Sequence, residues 1–298
     1  MAPLKFEKLV CGSSVDLFKK DFAHENAWEL EQSDAQKGSS FVNNIKLSKD
    51  SSIHGSTLAK CNIGPANVEL KVQVDGKHYL ELSAAHSKYT PVTFHAKGEA
   101  DVPKGIYTGE LAADHVLPVH SCQVKVNPFA RDYSAFSLTR LNLCSGQLLV
   151  GTEITGRNCA FLSNYTSALG YKKEREDKTY AVSARLFGAR GYGLTSLLGN
   201  VYAGKAHGSA QNAFSVALEH SFKDTNTKLR FAGLWHITEP NHPNPAYVKG
   251  KCDTDGNFAV TVFQRFNNTV AGALGVSFNA KESLSPSNVN YGLKMVVS

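Results

Sequence analysis

The sequence lacks the features that define several common classes of protein. Its six cysteines form no CxxC pair and have no histidine at metal-ligand spacing, which argues against a zinc site or a dense disulfide framework and fits a reducing or neutral compartment. No secretory signal is visible, and the acidic Glu7 and Asp16 are unlike a transit peptide. No run reaches the roughly 18 apolar residues that a membrane helix needs. A membrane-spanning chain of this kind would have to be a closed β-barrel.

Recognisable catalytic motifs are also scarce. The eleven histidines include no HExxH, and no GxSxG is present, so neither a metallohydrolase nor a nucleophile-elbow hydrolase is indicated. The stretch GNVYAGKA at 199–206 has the glycines and the lysine of a phosphate-binding loop. It has Ala206 where that loop needs a hydroxyl, and we interpret it as a turn between strands. Because no acid/base pair stands out either, we predict no enzyme activity, no cofactor and no metal.

What the chain has in abundance is alternation of apolar and polar residues. In ANVELKVQVDG, valine and leucine alternate with Glu69, Lys71, Gln73 and Asp75. A period of two is typical of a strand with one apolar and one polar face. The same pattern recurs in PVTFHAKGE, KLRFAGLWHI and NFAVTVFQRF, and turn signals such as VDGK and TDGN separate the runs. We expect about nineteen strands between residue 25 and the end of the chain.

The composition of the two faces favours a transmembrane barrel over a soluble sandwich. The apolar face is rich in alanine, glycine and valine with scattered aromatic residues, and the other face carries a charge on nearly every strand. In a soluble sandwich the apolar face would have to form a core of bulky residues. In a membrane barrel the apolar face contacts lipid and the charged face contacts the water of the lumen, which agrees with the composition of both faces. We predict an all-β fold, a transmembrane β-barrel of about nineteen strands over residues 23–298, in one domain with the segment before it.

Residues 1–22 have a different period. On a helix, three apolar residues fall on one side and four charged residues on the other: Phe6, Val10 and Leu17 against Lys5, Lys8, Asp16 and Lys19. This predicts a short amphipathic helix, weakened by Gly12 and the two serines that follow it. Periodicity alone fits a helix inside a pore and an ordinary packed surface helix equally well.

The last eleven residues are NVNYGLKMVVS, which places a polar residue, a glycine and alternating apolar residues at Asn290, Gly292, Met295 and Val297. This arrangement resembles the sorting signal in the last strand of mitochondrial outer-membrane β-barrels. We expect this strand to pair with the first strand of the sheet and so close the ring. A bacterial outer-membrane protein would be expected to begin with a signal peptide and usually to end on an aromatic residue.

With these segments the chain resembles the mitochondrial porin family, the voltage-dependent anion channels. NTKLRFAGLWHI, NFAVTVFQRFNNT and VAGALGVSFNAK look like the family's last strands, and LVCGSSVDLFKKDF is similar to its N-terminal helix inside the pore. The family has nineteen strands, so our strand count is not independent of the resemblance. Two departures are visible. The linker DFAHENAW lacks glycine, which would tether the helix more stiffly, and the outward residues of 68–74 lack the lipid-facing glutamate often found in animal members.

The resemblance implies a voltage-gated, mildly anion-selective pore through which nucleotides such as ATP and ADP, phosphate and small organic anions cross the mitochondrial outer membrane. In a wide, wet pore, selectivity comes from the summed potential of the wall. Alternation and the helix place these basic residues in the lumen: Lys5, Lys8, Lys19, Lys20, Lys71, Lys97, Lys125, Arg185, Arg230, Lys249, Lys251, Arg265 and Lys294. Each alone fits a solubilising side chain equally well. Their sum agrees with the net charge of +6 and predicts a mild anion preference.

The expected partners are membrane lipids, metabolite anions, the outer-membrane sorting and assembly machinery and further copies of the chain, with no nucleic-acid specificity. Two alternatives stay open. The protein-conducting channel of the outer-membrane translocase shares the barrel and the sorting signal, but it would be expected to have a longer N-terminal segment and an acidic or apolar-patched lumen. A soluble all-β binding protein would extract without detergent.

Overall fold

The computed structural model describes residues 4–20, 22–36, 38–85, 91–158, 160, 162–175, 178–205, 212–238, 242–282 and 288–298. The helix α1 spans Phe6–Lys19, and 3-10 helices span Ala23–Glu25 and Val102–Lys104. No helix within these ranges is long and apolar enough to cross a membrane.

The strands follow one another along the chain and around the barrel. They are β1 (Trp28–Gln36), β2 (Ser39–Leu47), β3 (Ile53–Ile63), β4 (Ala66–Gln73), β5 (Lys77–Ala85), β6 (Val92–Asp101), β7 (Ile106–Val116), β8 (His120–Asn127), β9 (Asp132–Leu143), β10 (Gly146–Gly156), β11 (Asn164–Arg175), β12 (Lys178–Ala189), β13 (Gly193–Lys205), β14 (Ala213–Ser221), β15 (Asn226–His236), β16 (Ala246–Asp253), β17 (Asn257–Arg265), β18 (Val270–Asn279) and β19 (Val289–Val297). The predicted all-β barrel of about nineteen strands with a short N-terminal helix is confirmed.

The barrel closes between its first and last strands. Neighbouring strands are antiparallel, except that β1 pairs parallel with β19, with Trp28 opposite Leu293 and Gln32 opposite Val297. A closed ring with an odd number of strands must contain a parallel pair, because strands that alternate in direction cannot otherwise meet themselves. The expectation that the final strand closes the ring on the first is confirmed.

The two faces of the sheet are inverted relative to those of a soluble protein. Most outward side chains are apolar, and many of them are exposed, with Leu70 and Val72 each at 42% of their surface. Inward polar side chains such as Ser215 and Thr261 are fully buried. Since apolar burial is the main force that drives folding in water, an exposed apolar exterior indicates a surface made for lipid.

Many aromatic side chains on the outer face lie close to strand ends. Those within two residues of an end include Trp28, Tyr107, Phe214, Trp235 and Phe258, and all are exposed. Aromatic rings favour the boundary between lipid headgroups and hydrocarbon. The outer face therefore has the apolar band and the flanking aromatic positions of a membrane-spanning barrel.

Turn signals predict the chain reversals well, with one exception. Gly76 in VDGK and Gly256 in TDGN have φ of +82° and +87°, in the left-handed region that glycine enters without steric cost. The prediction of a turn at 199–206 is wrong, because 199–205 lies within β13 and residue 206 lies outside the described residues. Pairing with β12 on one side and β14 on the other overrides the turn preference of the local glycines.

Candidate functional site: the lumen and its helix

The helix α1 lies inside the barrel and packs its apolar side against the wall. Phe6 contacts a buried cluster that includes Phe136 and Leu138, and the centroids of the two phenylalanine rings are 5.6 Å apart. Further along the helix, Leu17 packs in a second cluster with Tyr202. The inner wall is therefore apolar where Phe6 and Leu17 pack against it. The amphipathic helix lies inside the pore and not on the outer surface.

The helix bends at Cys11, whose φ of −142° and ψ of 33° are not helical. Gly12 follows directly, and glycine and serine are poor helix formers. The bend brings Ser14 to the wall, where its hydroxyl lies 2.7 Å from the Ser215 hydroxyl and donates to the side-chain oxygen of Asn200 at 3.3 Å. The segment after Gly12, where the sequence predicts a weakened helix, therefore contacts the inner wall of the barrel through Ser14.

A buried polar cluster holds the chain just before the helix. The backbone N–H of Leu4 donates to Oδ2 of Asp114 at 3.0 Å, and Nε2 of Gln123 donates to the Leu4 carbonyl at 3.1 Å and to Oδ1 of Asp114 at 2.6 Å. Nε2 of His95 lies 3.1 Å from Oδ2 of Asp114. Alternation predicts that His95 faces inward, but no sequence signal indicates that these residues meet the N-terminal segment.

An ion pair joins the first turn of the helix to the wall. Nη2 of Arg185 lies 3.1 Å from Oε1 of Glu7, and the arginine side chain is only 6% exposed. Arg185 therefore lies inside, as predicted, but its charge is compensated by the helix. A buried arginine without a carboxylate beside it would be costly, so this contact favours the docked helix.

The structure predicts that Glu7→Gln loosens the first half of the helix by about 1 kcal/mol, because an ionic hydrogen bond becomes a neutral one. The rate at which an added protease cuts the N-terminal segment in detergent should rise severalfold. Glu99→Gln is the matched control, since Glu99 forms an ion pair with Lys97 on the wall. Equal cleavage rates in the two variants would contradict the role of this pair.

Two wall lysines hold the end of the helix. Nζ of Lys249 donates to the carbonyls of Asp16 at 3.1 Å and Lys20 at 2.6 Å, and Nζ of Lys251 donates to the carbonyl of Phe18 at 3.2 Å. The last carbonyls of a helix have no intrahelical donors and carry partial negative charge. Both lysines face inward as predicted, but their ammonium groups are bound to the helix.

The linker after the helix also follows the wall. The Nζ atoms of Lys249 and Lys251 lie 5.0 and 4.0 Å from the ring centroid of Phe22. The backbone N–H of Ala23 donates to Oγ1 of Thr261 at 3.2 Å. A linker without glycine is thus fixed by side-chain contacts from neighbouring strands.

The residues predicted as a sorting signal lie on β19. Asn290 and Gly292 face the lumen, whereas Met295 and Val297 face outward. A Cβ on Gly292 would clash with the carbonyl oxygen of Asn26, so the glycine lets the linker cross this strand. Recognition of these residues by a sorting machinery stays a prediction.

The basic residues predicted for the lumen lie on the inner face or on the helix within it, yet more than half of them form ion pairs. Pairs join Lys19 and Arg185 to Glu7, Lys20 to Asp16, Lys97 to Glu99, Lys125 to Glu110, Arg230 to Glu219, and Lys294 to Glu29 and Glu31. Within the described part of the chain, Lys5, Lys8, Lys71 and Arg265 form no ion pair.

The sequence analysis missed the acidic partners of these basic residues, although the same alternation places the partners on the wall strands on the inner face. Arg140, which donates to Ser121 at 2.8 Å, was missed as well.

The helix occupies one side of the lumen. Among described residues, hydrogen bonds and ion pairs between residues 4–20 and the wall reach β7, β8, β12, β13, β14 and β16. A cavity of 680 Å³ lies beyond the end of the helix and is lined by Phe18, Arg230, Lys251, Asn257 and Asn290 among others. Because barrels of about 16 to 18 strands already leave an aqueous channel, this wall and one helix leave room for solutes.

These features define a transmembrane β-barrel with a pore-like lumen that holds an N-terminal helix. Within the residues that the structure describes, no group of three or more His, Cys, Asp or Glu side chains could hold a metal ion. Neither a comparison with models of protein families nor a comparison with curated proteins found a match for this chain.

Proposed function

We propose that the chain is a diffusion pore of the mitochondrial porin type, through which anionic metabolites such as nucleotides and phosphate cross the mitochondrial outer membrane. The resemblance of its terminal segments supports the family and the membrane. The observation that carries the anion preference is the set of basic residues without an acidic partner on the inner face and the helix. The chain then acts as a conduit rather than as an enzyme, and the sorting and assembly machinery inserts it by reading β19.

Selectivity in such a pore follows from uncompensated charge. A hydrated ion in a wide lumen responds to the summed electrostatic potential of the charges around it. The two charges of an ion pair largely cancel, so a pair contributes little to this potential beyond the Debye length of about 8 Å at physiological salt. Lys5, directly before the helix, and Lys8 within it are exposed, and Lys71 and Arg265 lie on the wall. Since most other inward charges are paired, the expected anion preference is mild rather than strict.

Voltage gating is proposed to be movement of charge on the helix or the wall. A full charge that crosses the membrane field gains about 2.3 kcal/mol per 100 mV. Contacts at Leu4, Glu7, Ser14 and the end of the helix oppose such movement. Movement of one part of the helix at a time would need less energy than release of the whole.

The test is the single-channel current of the purified protein in a planar bilayer with a salt gradient across it. A large conductance, an anion-favouring reversal potential and lower-conducting states at both voltage polarities are expected. A cation-selective pore that presequence peptides block would instead favour the protein-conducting channel of the translocase. Absence of any channel would contradict both functions.

Lys71→Glu is expected to lower the anion-to-cation permeability ratio, because it replaces a positive wall charge that no acid compensates. The change should be less than about twofold, since salt screens a single charge within roughly 8 Å. The reversal potential in a fixed salt gradient measures it. Lys223→Glu, in the turn after β14, is the control for an equal change in net charge outside the barrel wall. Equal shifts in both variants would mean that the wall charge has no special effect.

A further inference from the structure

The end of the hairpin formed by β11 and β12 carries basic side chains on the outer face of the barrel. Leu169 on β11 and Val182 on β12 face outward and are 55% and 54% exposed. Because side chains alternate between the two faces of a strand, Lys173, Arg175 and Lys178 face outward as well. These three residues at the end of the hairpin are called the basic patch.

In the described strands, the basic patch is the only outward surface with lysine or arginine side chains. Every other lysine and arginine whose side chain the structure describes on a strand alternates to the lumen side. A charged side chain on the lipid face of a barrel is costly at mid-height and much less costly near the membrane surface. Three basic residues together at one hairpin end therefore favour contact with negative charge at that surface.

Alternation also separates the basic patch from the acidic residues nearby. In the segment 171–178, Lys172 and Glu174 both face the lumen, and Nζ of Lys172 lies 2.7 Å from Oε1 of Glu174. Lys173 and Lys178 form no ion pair with any residue that the structure describes, and the two turn residues between the strands lie outside the described ranges. The ammonium groups of these two lysines are therefore available to a ligand.

The basic patch lies at the level of the membrane surface. In the register of the two strands, Lys173 lies opposite Tyr180, one step beyond the apolar Val182. Arg175 lies opposite Lys178 at the very end of the hairpin. Tyr180 is 45% exposed, and outward tyrosines favour the boundary between hydrocarbon and headgroups. Long basic side chains that start at this boundary extend their charges toward the headgroups.

The basic patch is compact enough for one headgroup. Residues directly opposite each other on antiparallel strands have Cβ atoms about 5 Å apart, and diagonal neighbours lie about 7 to 8 Å apart. Lys178 is directly opposite Arg175 and diagonal to Lys173. Arg175 has another contact within the chain, but a guanidinium has five N–H donors and can bind a second acceptor. A phosphate group between the three side chains is therefore within reach of all of them.

We propose that the basic patch binds the headgroup of an anionic phospholipid at one surface of the membrane. Basic residues close to a membrane surface attract anionic lipids, and each of them contributes to the attraction. A phosphate ion in solution has similar charge, but the apolar outer face at Leu169 and Val182 lies next to the patch and can contact the acyl chains of a lipid. The site depends on the position of the barrel in a membrane and not on the transport proposed above.

The chain offers a matched control at the opposite end of the barrel. Lys49 lies in the turn between β2 and β3, and Lys223 lies in the turn between β14 and β15. Both side chains are exposed, and each is the only basic residue in its turn. Replacement of these two lysines removes as much charge as replacement of the two lysines of the patch, but it affects isolated residues.

The experiment uses native mass spectrometry of the purified chain in detergent to measure the dissociation constant of the first bound phosphatidylglycerol and of the first bound phosphatidylcholine. Wild type is expected to bind phosphatidylglycerol at least tenfold more tightly, which corresponds to about 1.4 kcal/mol. The double variant Lys173→Gln, Lys178→Gln should lose this preference, and Lys49→Gln, Lys223→Gln should keep it. The β-sheet signal in circular dichroism verifies that all barrels are intact.

Three results would overturn the site. Equal affinity of wild type for the two lipids would show that the patch selects no anionic headgroup. An equal loss of preference in both double variants would show that net charge alone attracts the lipid. Displacement of phosphatidylglycerol by inorganic phosphate would make the ligand a soluble anion instead of a lipid. Because lipid binding is measured without transport, absence of a channel would contradict the proposed function and not this site.

Discussion

Gly292→Ala is expected to prevent most of the purified chain from refolding into a closed barrel in detergent. A Cβ at this position would lie within 3.0 Å of the carbonyl oxygens of Asn26 and Ala23, closer than real Cβ atoms come to other atoms. Both oxygens belong to the backbone that joins the helix to β1, so the clash is relieved only if that segment leaves β19. Overpacking against backbone at the closing pair of strands should cost about 3 kcal/mol.

The refolded fraction is measured by the β-sheet signal in circular dichroism and by the electrophoretic mobility of unheated samples. Gly170→Ala is the matched control, because Gly170 also lies on the inner face and its Cβ would meet nothing nearer than 3.5 Å. Refolding in detergent involves no sorting machinery, so the experiment separates packing from the predicted sorting signal. If Gly292→Ala refolds as well as the control, any requirement for this glycine comes from sorting and not from packing.

Lys249→Met is expected to release the second half of the helix from the wall. Lys249 is 2% exposed, and its ammonium group donates to two carbonyls near the end of the helix. Hydrogen bonds from a charged donor contribute about 1.5 to 3 kcal/mol, so the undocked population should rise by roughly 10-fold to 150-fold. Methionine keeps most of the side-chain volume, which limits the change to the lost contacts.

The native Cys11 provides the measurement, because it lies buried at the bend of the helix. Burial raises the pKa of the Cys11 thiol, so the docked helix should react slowly with thiol reagents. Peptide-level mass spectrometry separates its labelling rate from those of the other cysteines. Lys71→Met, on the wall at β4, is the control. A Cys11 rate that is the same in both variants would mean that Lys249 does not hold the helix.

The fold could be predicted from the sequence largely because a strand displays its environment at every second residue. Runs such as 66–76 assign an inner and an outer face without reference to any other strand. The N-terminal helix could be predicted from the helical spacing of its apolar residues, and the bend within it could be predicted from Gly12 and the adjacent serines. The turn expected at 199–206 failed because glycine content is a local signal, while β12 and β14 provide pairing on both edges.

The site was harder to predict than the fold. Alternation placed Arg230 and Lys294 on the inner face, but the charge that a solute meets depends on Glu219 and on Glu29 and Glu31 beside them. Those pairs arise from the register between strands and, for Lys294, from the closure of β19 on β1. A count of basic residues along the chain therefore overestimates the uncompensated positive charge of the lumen.

The sequence by itself determined that this protein is a barrel with an apolar exterior, a charged interior and an amphipathic helix, since each of these is a repeating local pattern. The tertiary structure decided where the helix lies and which groups hold it. Asp114 and Gln123 come from two strands and bond to Leu4, and His95 from a third strand contacts Asp114, while Lys249 reaches the other end of the helix from β16. Contacts between residues so far apart in the chain depend on how the wall curves around the lumen, which no local pattern encodes.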